Sequence, residues 1–266
     1  MPYRVDVARA SDAVLDCLVE LGALDVDHGE LDERGVAALM PDSVAPERIA
    51  RALGIDDISV SPAAGRDADS VWILSPRAFR AGRIRIVPAD TDAEAGDLKL
   101  IDAPAFGTGL HPTTALCLEA LEDAMRADVP DALLDVGIGS GVLALAALIM
   151  GVPRATGIDI DEGSLRVAEE NARINGLAER LQLVRGGPEA VTGSWPLVLA
   201  NVLAASLIDM ASALVRRVGH HGRLVLSGIP VSVERDVEQA YRRLGMRLVD
   251  VKSRAGWVAI VLQASW

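Results

Sequence analysis

Aromatic residues are scarce, at 3% of the chain, so the interior has to be built from Ala, Val, Leu and Ile. There are two cysteines, Cys17 and Cys117. That is too few for a disulfide framework or a four-cysteine zinc site, and no metal centre is expected. Each cysteine falls in an apolar helical pattern, the setting of a small buried hydrophobe. No apolar run reaches the roughly 18 residues that a membrane span needs. The opening MPYRVDVARAS lacks the basic start and apolar stretch of a signal peptide. A cytoplasmic protein is the expectation. Cations are in deficit too: 26 Lys and Arg stand against 38 Asp and Glu, a formal net charge of −12. Phosphate contacts need clustered cations, so the balance argues against direct nucleic-acid binding. It suits small molecules, or a basic protein drawn in by long-range attraction.

What the chain does have is apolar content. Half of its 266 residues are hydrophobic, enough for a substantial core in one or two domains. The first sixty or so residues read as short alternating elements. Residues 3–7 alternate at period two, as a half-buried strand does. Ser11 is placed to cap a helix over 12–21 that Gly22 ends. Residues 24–31 and 36–40 read as strands around a turn-like Asp-Glu-Arg-Gly, and Pro46 can start a helix that Gly54 stops. Residues 58–60 alternate again. The order β-α-β-β-α-β is that of a ferredoxin-like α+β module, assigned to residues 1–66. Residues 67–101, with strand-like VWIL, GRIRIV and LKLI broken by an acidic stretch, read as a connector.

From residue 102 to 266 the pattern changes. Continuous apolar runs at 132–136, 155–160, 181–184, 197–201, 222–227, 247–251 and 258–263 alternate with helical stretches near 112–126, 140–150, 164–175, 204–217 and 231–244. Such strands belong to a parallel sheet covered on both faces. No helix separates the last two, which should form an antiparallel hairpin at the sheet edge. The expectation is an α/β fold: a doubly wound sheet of seven strands with a smaller α+β domain before it.

In an open sheet of this kind, ligands bind beyond the carboxyl ends of the strands, where the strand order reverses. The first of these strands runs into Gly137-Ile138-Gly139-Ser140-Gly141. Glycines there allow a sharp turn and a close backbone approach to a ligand. A dinucleotide fingerprint would place its last glycine at 142, which is Val142, and no G-K-[ST] follows, so NAD, FAD and ATP-type loops are poor matches. Asp159 lies 22 residues after Gly137, at the next strand's tip, where a carboxylate can take both ribose hydroxyls. A ribose site without a pyrophosphate cradle suits an adenosyl ligand such as S-adenosylmethionine.

At the fourth strand's end, the Asn201 amide oxygen can accept a hydrogen bond from an amine. The carbonyl of Val202 can accept a second, which would aim the amine lone pair at an electrophile. Upstream, Phe106, Gly107, Thr108 and Gly109 form a lid-like loop, and Thr114 falls in the first turn of the following helix. His111 offers either a general base or a structural hold on that loop.

The segments FGTGLHPTTALCLEAL, LLDVGIGSGVLALAALIMG, GIDIDEGSLRVAEENARINGL and LANVLAASL resemble, in order and spacing, those of the methyltransferases of ribosomal protein L11, a class I S-adenosylmethionine-dependent family. The resemblance runs over residues 102–264. It implies methyl transfer from S-adenosylmethionine to amino groups of a basic ribosomal protein, with an N-terminal ferredoxin-like domain for recognition on a linker that lets it swing. It also implies that Thr114, Gly137, Gly139, Asp159 and Asn201 are cofactor-binding positions, with Asn201 catalytic. Phe106 and Thr108 would lie in the segment that closes over the cofactor, and Glu189, after the third strand, would be the acidic partner of the adenine ring. Competing readings are a methyltransferase for another protein lysine or a small amine, an NAD-dependent oxidoreductase, and a non-catalytic adenosyl-binding module.

Overall fold

The structure, a computed structural model, describes residues 2–7, 11–27, 35–55, 58–63, 78–103 and 111–266. The first unit consists of β1 (Tyr3–Val7), α1 (Asp12–Glu20), β2 (Asp25–Asp27), β3 (Val36–Met40), α2 (Pro46–Leu53) and β4 (Ile58–Pro62). Its strands pair antiparallel in the order β2-β3-β1-β4, the ferredoxin-like arrangement. Local chemistry sets the elements. Val5 and Val7 alternate inward along β1. The Ser11 hydroxyl accepts the Val14 N–H at 3.3 Å and starts α1. Pro46 opens α2 and Gly54 ends it in the left-handed region. The strand expected over 24–31 is shorter: β2 covers three residues, and positions 28–34 lie outside the described residues.

Residues 78–101 contribute a three-stranded sheet of β5 (Phe79–Ala81), β6 (Ile84–Pro88) and β7 (Leu98–Leu100). The VWIL segment lies outside the described residues. Ala81, Ile84, Ile86, Leu98 and Leu100 all join the main core. Asn171 and Asn175, described below, hold β7 there.

The rest of the chain gives α3 (Pro112–Ala127), β8 (Leu133–Val136), α4 (Val142–Ile149), β9 (Ala155–Asp159), α5 (Glu162–Ile174), β10 (Leu181–Arg185), β11 (Trp195–Asn201), α6 (Ala204–Asp209), α7 (Ala211–Val215), β12 (Val218–Pro230), α8 (Glu234–Arg242), β13 (Met246–Arg254) and β14 (Trp257–Ala264). The strands form one seven-stranded sheet in the order β10-β9-β8-β11-β12-β14-β13. The first five are parallel, and β14 runs antiparallel to both neighbours. The expected reversed hairpin is present, with β14 slotted inside β13. Strand order reverses between β8 and β11, which opens the ligand crevice at their carboxyl ends.

Both faces of this sheet are covered, and that is why its strands read as unbroken apolar runs. Along β11, Leu197 and Leu199 belong to the core beneath α3 and α4, while Val198 and Ala200 belong to the core beneath α6, α7 and α8. Two expectations need correction. The helix expected over 204–217 is two helices broken at Met210, and the Leu207 carbonyl accepts the buried Tyr241 hydroxyl at 2.7 Å. The strand expected over 222–227 runs from Val218 to Pro230: Val218 pairs with Trp195 of β11, and β14 partners Ile229 and Pro230 beyond the last β11 pair at Ser227.

The two units touch. Ala255, in the turn between β13 and β14, is buried with Val5, Leu18 and Ile49 of the first unit. Ala37 and Leu39 of β3 pack into the main core. Among the described residues, no helix is long and apolar enough to cross a membrane.

Candidate active site

The loop after β8 is stitched to the end of β9. The Ile158 carbonyl accepts the N–H groups of Gly137 at 2.8 Å and Ile138 at 3.0 Å. The Asp159 carboxylate accepts from Gly139 N at 3.1 Å through one oxygen and from Asp161 N at 3.0 Å through the other. Gly137 sits at φ +72, and a Cβ there would come within 2.3 Å of Val202 Cγ1. Glycine is therefore needed both for the turn and for the room beside the end of β11. Asp161 caps α5, accepting Ser164 N at 2.7 Å and Gly163 N at 3.1 Å. Those bonds, Ser164's first, hold its carboxyl below the usual carboxylate range.

Behind the loop, Asp135 is buried and accepts Ala144 N at 3.2 Å. Burial, with a smaller contribution from the charge of Asp159, pushes its carboxyl up to about 8. Cys117 is also buried, and burial raises its thiol far above the ordinary range, which makes it an inert core residue.

The other half of the site hangs on α3 and β11. His111 is the N-cap of α3: its Nδ1 accepts Thr113 N at 3.3 Å and lies 2.8 Å from Thr113 Oγ1. Of its two readings, the structural one is what the geometry displays. One turn on, Thr114 is fully buried and its Oγ1 has no partner among the described residues. Asn201 Oδ1 is likewise buried without one. Period-two alternation with Leu197 and Leu199 turns Asn201 toward α3. Alternation with Ala155 turns Asp159 toward the same side. Since β9 and β11 flank β8 in parallel, the two residues stand at one end of the sheet, on one face, roughly 10 Å apart by strand spacing.

Buried polar groups are normally paired. Two that are not, beside a glycine cradle and a strand-end carboxylate, fit an adenosyl amino-acid ligand. Asp159 could take the ribose, the loop at Gly137 and Gly139 gives backbone access, and Thr114 and Asn201 offer free polar atoms. Glu189 lies on a short helical turn, Pro188–Ala190, past β10. A Cβ on Gly187 would meet its carboxylate at 2.7 Å, and Gly186 N donates to the Asp159 carbonyl at 2.8 Å. Glu189 thus sits next to the Asp159 strand end. Phe106, Gly107, Thr108 and Gly109 lie outside the described residues.

Sequence reading missed three features: a glycine, a pair of asparagines and a tryptophan. Gly228 has φ +81, and a Cβ on it would fall 2.2 Å from the Val202 carbonyl oxygen. It lies where the β12–β14 register shifts between Leu226 and Ile229. It directly follows the run expected over 222–227, where a glycine reads as an ordinary turn residue, so the sequence offers no signal for it. Asn171, fully buried, accepts Ile101 N and donates to the Ser140 carbonyl, each at 2.8 Å. Asn175 makes the matching pair with the backbone of Lys99. These bonds fasten β7 and the glycine loop to α5. The third is Trp257, whose ring centroid stands 5.0 Å from that of His111.

Comparison with known proteins agrees with this geometry. Residues 58–265 match the family model described as Ribosomal protein L11 methyltransferase (PrmA). A protein named ribosomal protein L11 methyltransferase from Myxococcus xanthus is 35% identical over 281 residues, covering 96% of this chain and 95% of its own length. One of the same name from Geobacter sulfurreducens is 44% identical over 170 residues, covering 63% of this chain and 55% of its own. Among solved structures, a ribosomal protein L11 methylase from Lactobacillus delbrueckii subsp. bulgaricus superposes with a TM-score of 0.66 at 28% identity, covering 71% of this chain and all of that one. A match that runs through the whole sheet and both motif-bearing strand ends leaves one assignment: the chain belongs to the ribosomal protein L11 methyltransferase family and is an S-adenosylmethionine-dependent methyltransferase.

Proposed function

We propose that the chain methylates amino groups of ribosomal protein L11, the substrate named for its relatives. The observation that carries this reading is the buried Asn201 Oδ1, without a partner among the described residues, an acceptor on the same sheet face and at the same end as Asp159.

When bound, S-adenosylmethionine supplies a methyl group on a sulfonium, already activated for displacement. Positioning and exclusion of water then carry most of the rate. An exposed lysine ammonium, with a pKa of about 10.4, has no lone pair to offer. A dry pocket with neutral acceptors favours the neutral amine. Asn201 Oδ1 and the Val202 carbonyl accept the amine N–H groups and aim the lone pair. Transfer to a nitrogen so held would form the N–C bond at the expense of the C–S bond, and the resulting ammonium would release its proton to solvent. No dedicated side-chain base is required.

In this reading Asp159 takes the ribose hydroxyls, Gly137 and Gly139 allow the loop's close approach, and Thr114 holds the amino-acid end. Phe106 and Thr108 belong to the segment that closes over the cofactor, and Glu189 faces the adenine. Residues 1–66 recognise the protein substrate, 67–101 connect, and 102–266 carry out transfer. The net charge of −12 suits a basic partner in the cytoplasm. Mass spectrometry of L11 incubated with enzyme and S-adenosylmethionine tests the proposal. Methyl-sized mass increments on its amino groups are expected, and an unmodified protein refutes it.

A further inference from the structure

Trp257 opens β14 opposite Pro230 of β12, at the end of the sheet where Asn201 stands. On β14, Val258, Ile260 and Leu262 face the core beneath α6, α7 and α8, whereas Val261 faces the core beneath α3 and α4. Alternation therefore turns Trp257 toward α3. Its ring meets His111 edge-on, with an interplanar angle of 71°, and the His111 carbonyl accepts Thr114 N at 3.0 Å. Trp257 Nε1 is buried and has no partner among the described residues. An indole N–H can only donate, and a buried donor left unpaired destabilises a fold unless something else uses it.

Three buried polar atoms that have no partner among the described residues thus lie at one end of the sheet, on the face that α3 covers: Thr114 Oγ1, Asn201 Oδ1 and Trp257 Nε1. The asparagine oxygen accepts, the indole donates and the hydroxyl does both. A ligand that satisfies them presents N–H groups on one side and an acceptor oxygen on the other. We infer that Trp257 is a binding residue of this site, donating its indole N–H to a carboxylate or carbonyl oxygen of a bound ligand. Two groups carry such an oxygen here: the amino-acid carboxylate of S-adenosylmethionine, and a backbone carbonyl of the acceptor protein beside its reactive amine.

The Trp257→Phe variant keeps an aromatic ring against His111 and removes the donor together with part of the indole's volume. Calorimetry with S-adenosylmethionine and with its decarboxylated analogue, and KM for L11, separate the two sources. With the cofactor as source, Kd for S-adenosylmethionine rises about tenfold while that of the analogue is unchanged. With the protein as source, both Kd values hold and KM rises about tenfold. Equal weakening toward both cofactors makes Trp257 a packing residue and overturns the inference. So does an unchanged affinity for S-adenosylmethionine without a raised KM. The second arm rests on the proposed substrate. A wild-type enzyme that binds S-adenosylmethionine yet leaves L11 unmethylated defeats that reading, while the cofactor arm still decides the role of Trp257.

Discussion

The carboxylate of Asp159 holds the backbone N–H of Gly139 at 3.1 Å, so the tip of the second strand and the glycine loop form one hydrogen-bonded body. Replacing Asp159 with Ala removes the ribose acceptor and at the same time loosens the loop that the ligand lies against. A rise in Kd for S-adenosylmethionine of about a hundredfold is expected, since hydrogen bonds to a charged acceptor are worth roughly 1.5–3 kcal/mol each. Calorimetric titration measures this, and an unaltered affinity removes Asp159 from the cofactor site.

Asn201 should behave in the opposite way. An acceptor that orients the nucleophile contributes to turnover and little to cofactor binding. In Asn201→Ala, kcat is expected to fall about a hundredfold with cofactor Kd within about threefold of wild type. Steady-state kinetics paired with calorimetry read the two quantities apart. Wild-type turnover in the variant would contradict the assigned role.

Gly228 offers a test of the backbone geometry beside Val202. A Cβ at 2.2 Å from a carbonyl oxygen cannot be relieved by a rotamer change, and the left-handed φ adds strain of its own. Gly228→Ala is expected to lose about 2–4 kcal/mol, with a visibly lower Tm and reduced turnover as the Val202 carbonyl shifts. Gly176 is the control. Its φ is +67 with nothing within 4 Å of a new Cβ, so Gly176→Ala should lose only about 1 kcal/mol. Equal melting temperatures for the two variants would show that the close approach is not tight.

The buried carboxyl of Asp135 gives stability a pH dependence of definite sign. Burial raises its folded pKa to about 8, whereas in the unfolded chain it titrates near 3.9. Between these values the folded state holds a proton that the unfolded state has released, so stability falls as pH rises from about 4 and levels off above about 8. Urea unfolding at about pH 5 and about pH 7.5 should show the lower pH as the more stable in this respect. In Asp135→Asn that component of the slope disappears. A variant that keeps the full wild-type slope would locate the titration elsewhere.

Asn171 links three segments from full burial, through Ile101 N and the Ser140 carbonyl at 2.8 Å each. Asn171→Ala strands both backbone groups and is expected to lose about 2–4 kcal/mol. Hydrogen exchange at the Ile101 amide should accelerate markedly, and cofactor affinity should fall because Ser140 lies in the glycine loop. An Ile101 amide as protected as in wild type would show the clamp to be dispensable.

Much of the architecture was legible in the sequence because period and punctuation agreed. Val5 and Val7 alternate, Ser11, Pro46 and Gly54 mark helix ends, and Leu133–Val136 reads as a run buried on both faces. Asp159 and Asn201 were recognisable because each closes an apolar strand with a polar side chain. The remainder depended on contacts between residues distant along the chain. Asn171 lies among Glu169, Glu170 and Arg173 on α5 and looks like part of a solvated face until β7 is laid against it. The break at Met210 has no glycine or proline to announce it. Gly228 resembles an ordinary turn residue until the Val202 carbonyl is placed beside it. Trp257 counts as one more apolar residue until its N–H is found unpaired.

The burial of Ala255 among Val5, Leu18 and Ile49 means that the smaller sheet is sealed by an amino acid some two hundred positions downstream. Severing the molecule at residue 66 would not yield a finished half. The excised piece would carry a bare apolar hollow where Ala255 sits and, with Ala37 and Leu39 also uncovered, would tend to self-associate. Separating the first unit from the rest would break this seam and wet those side chains, which is unfavourable in proportion to the area exposed.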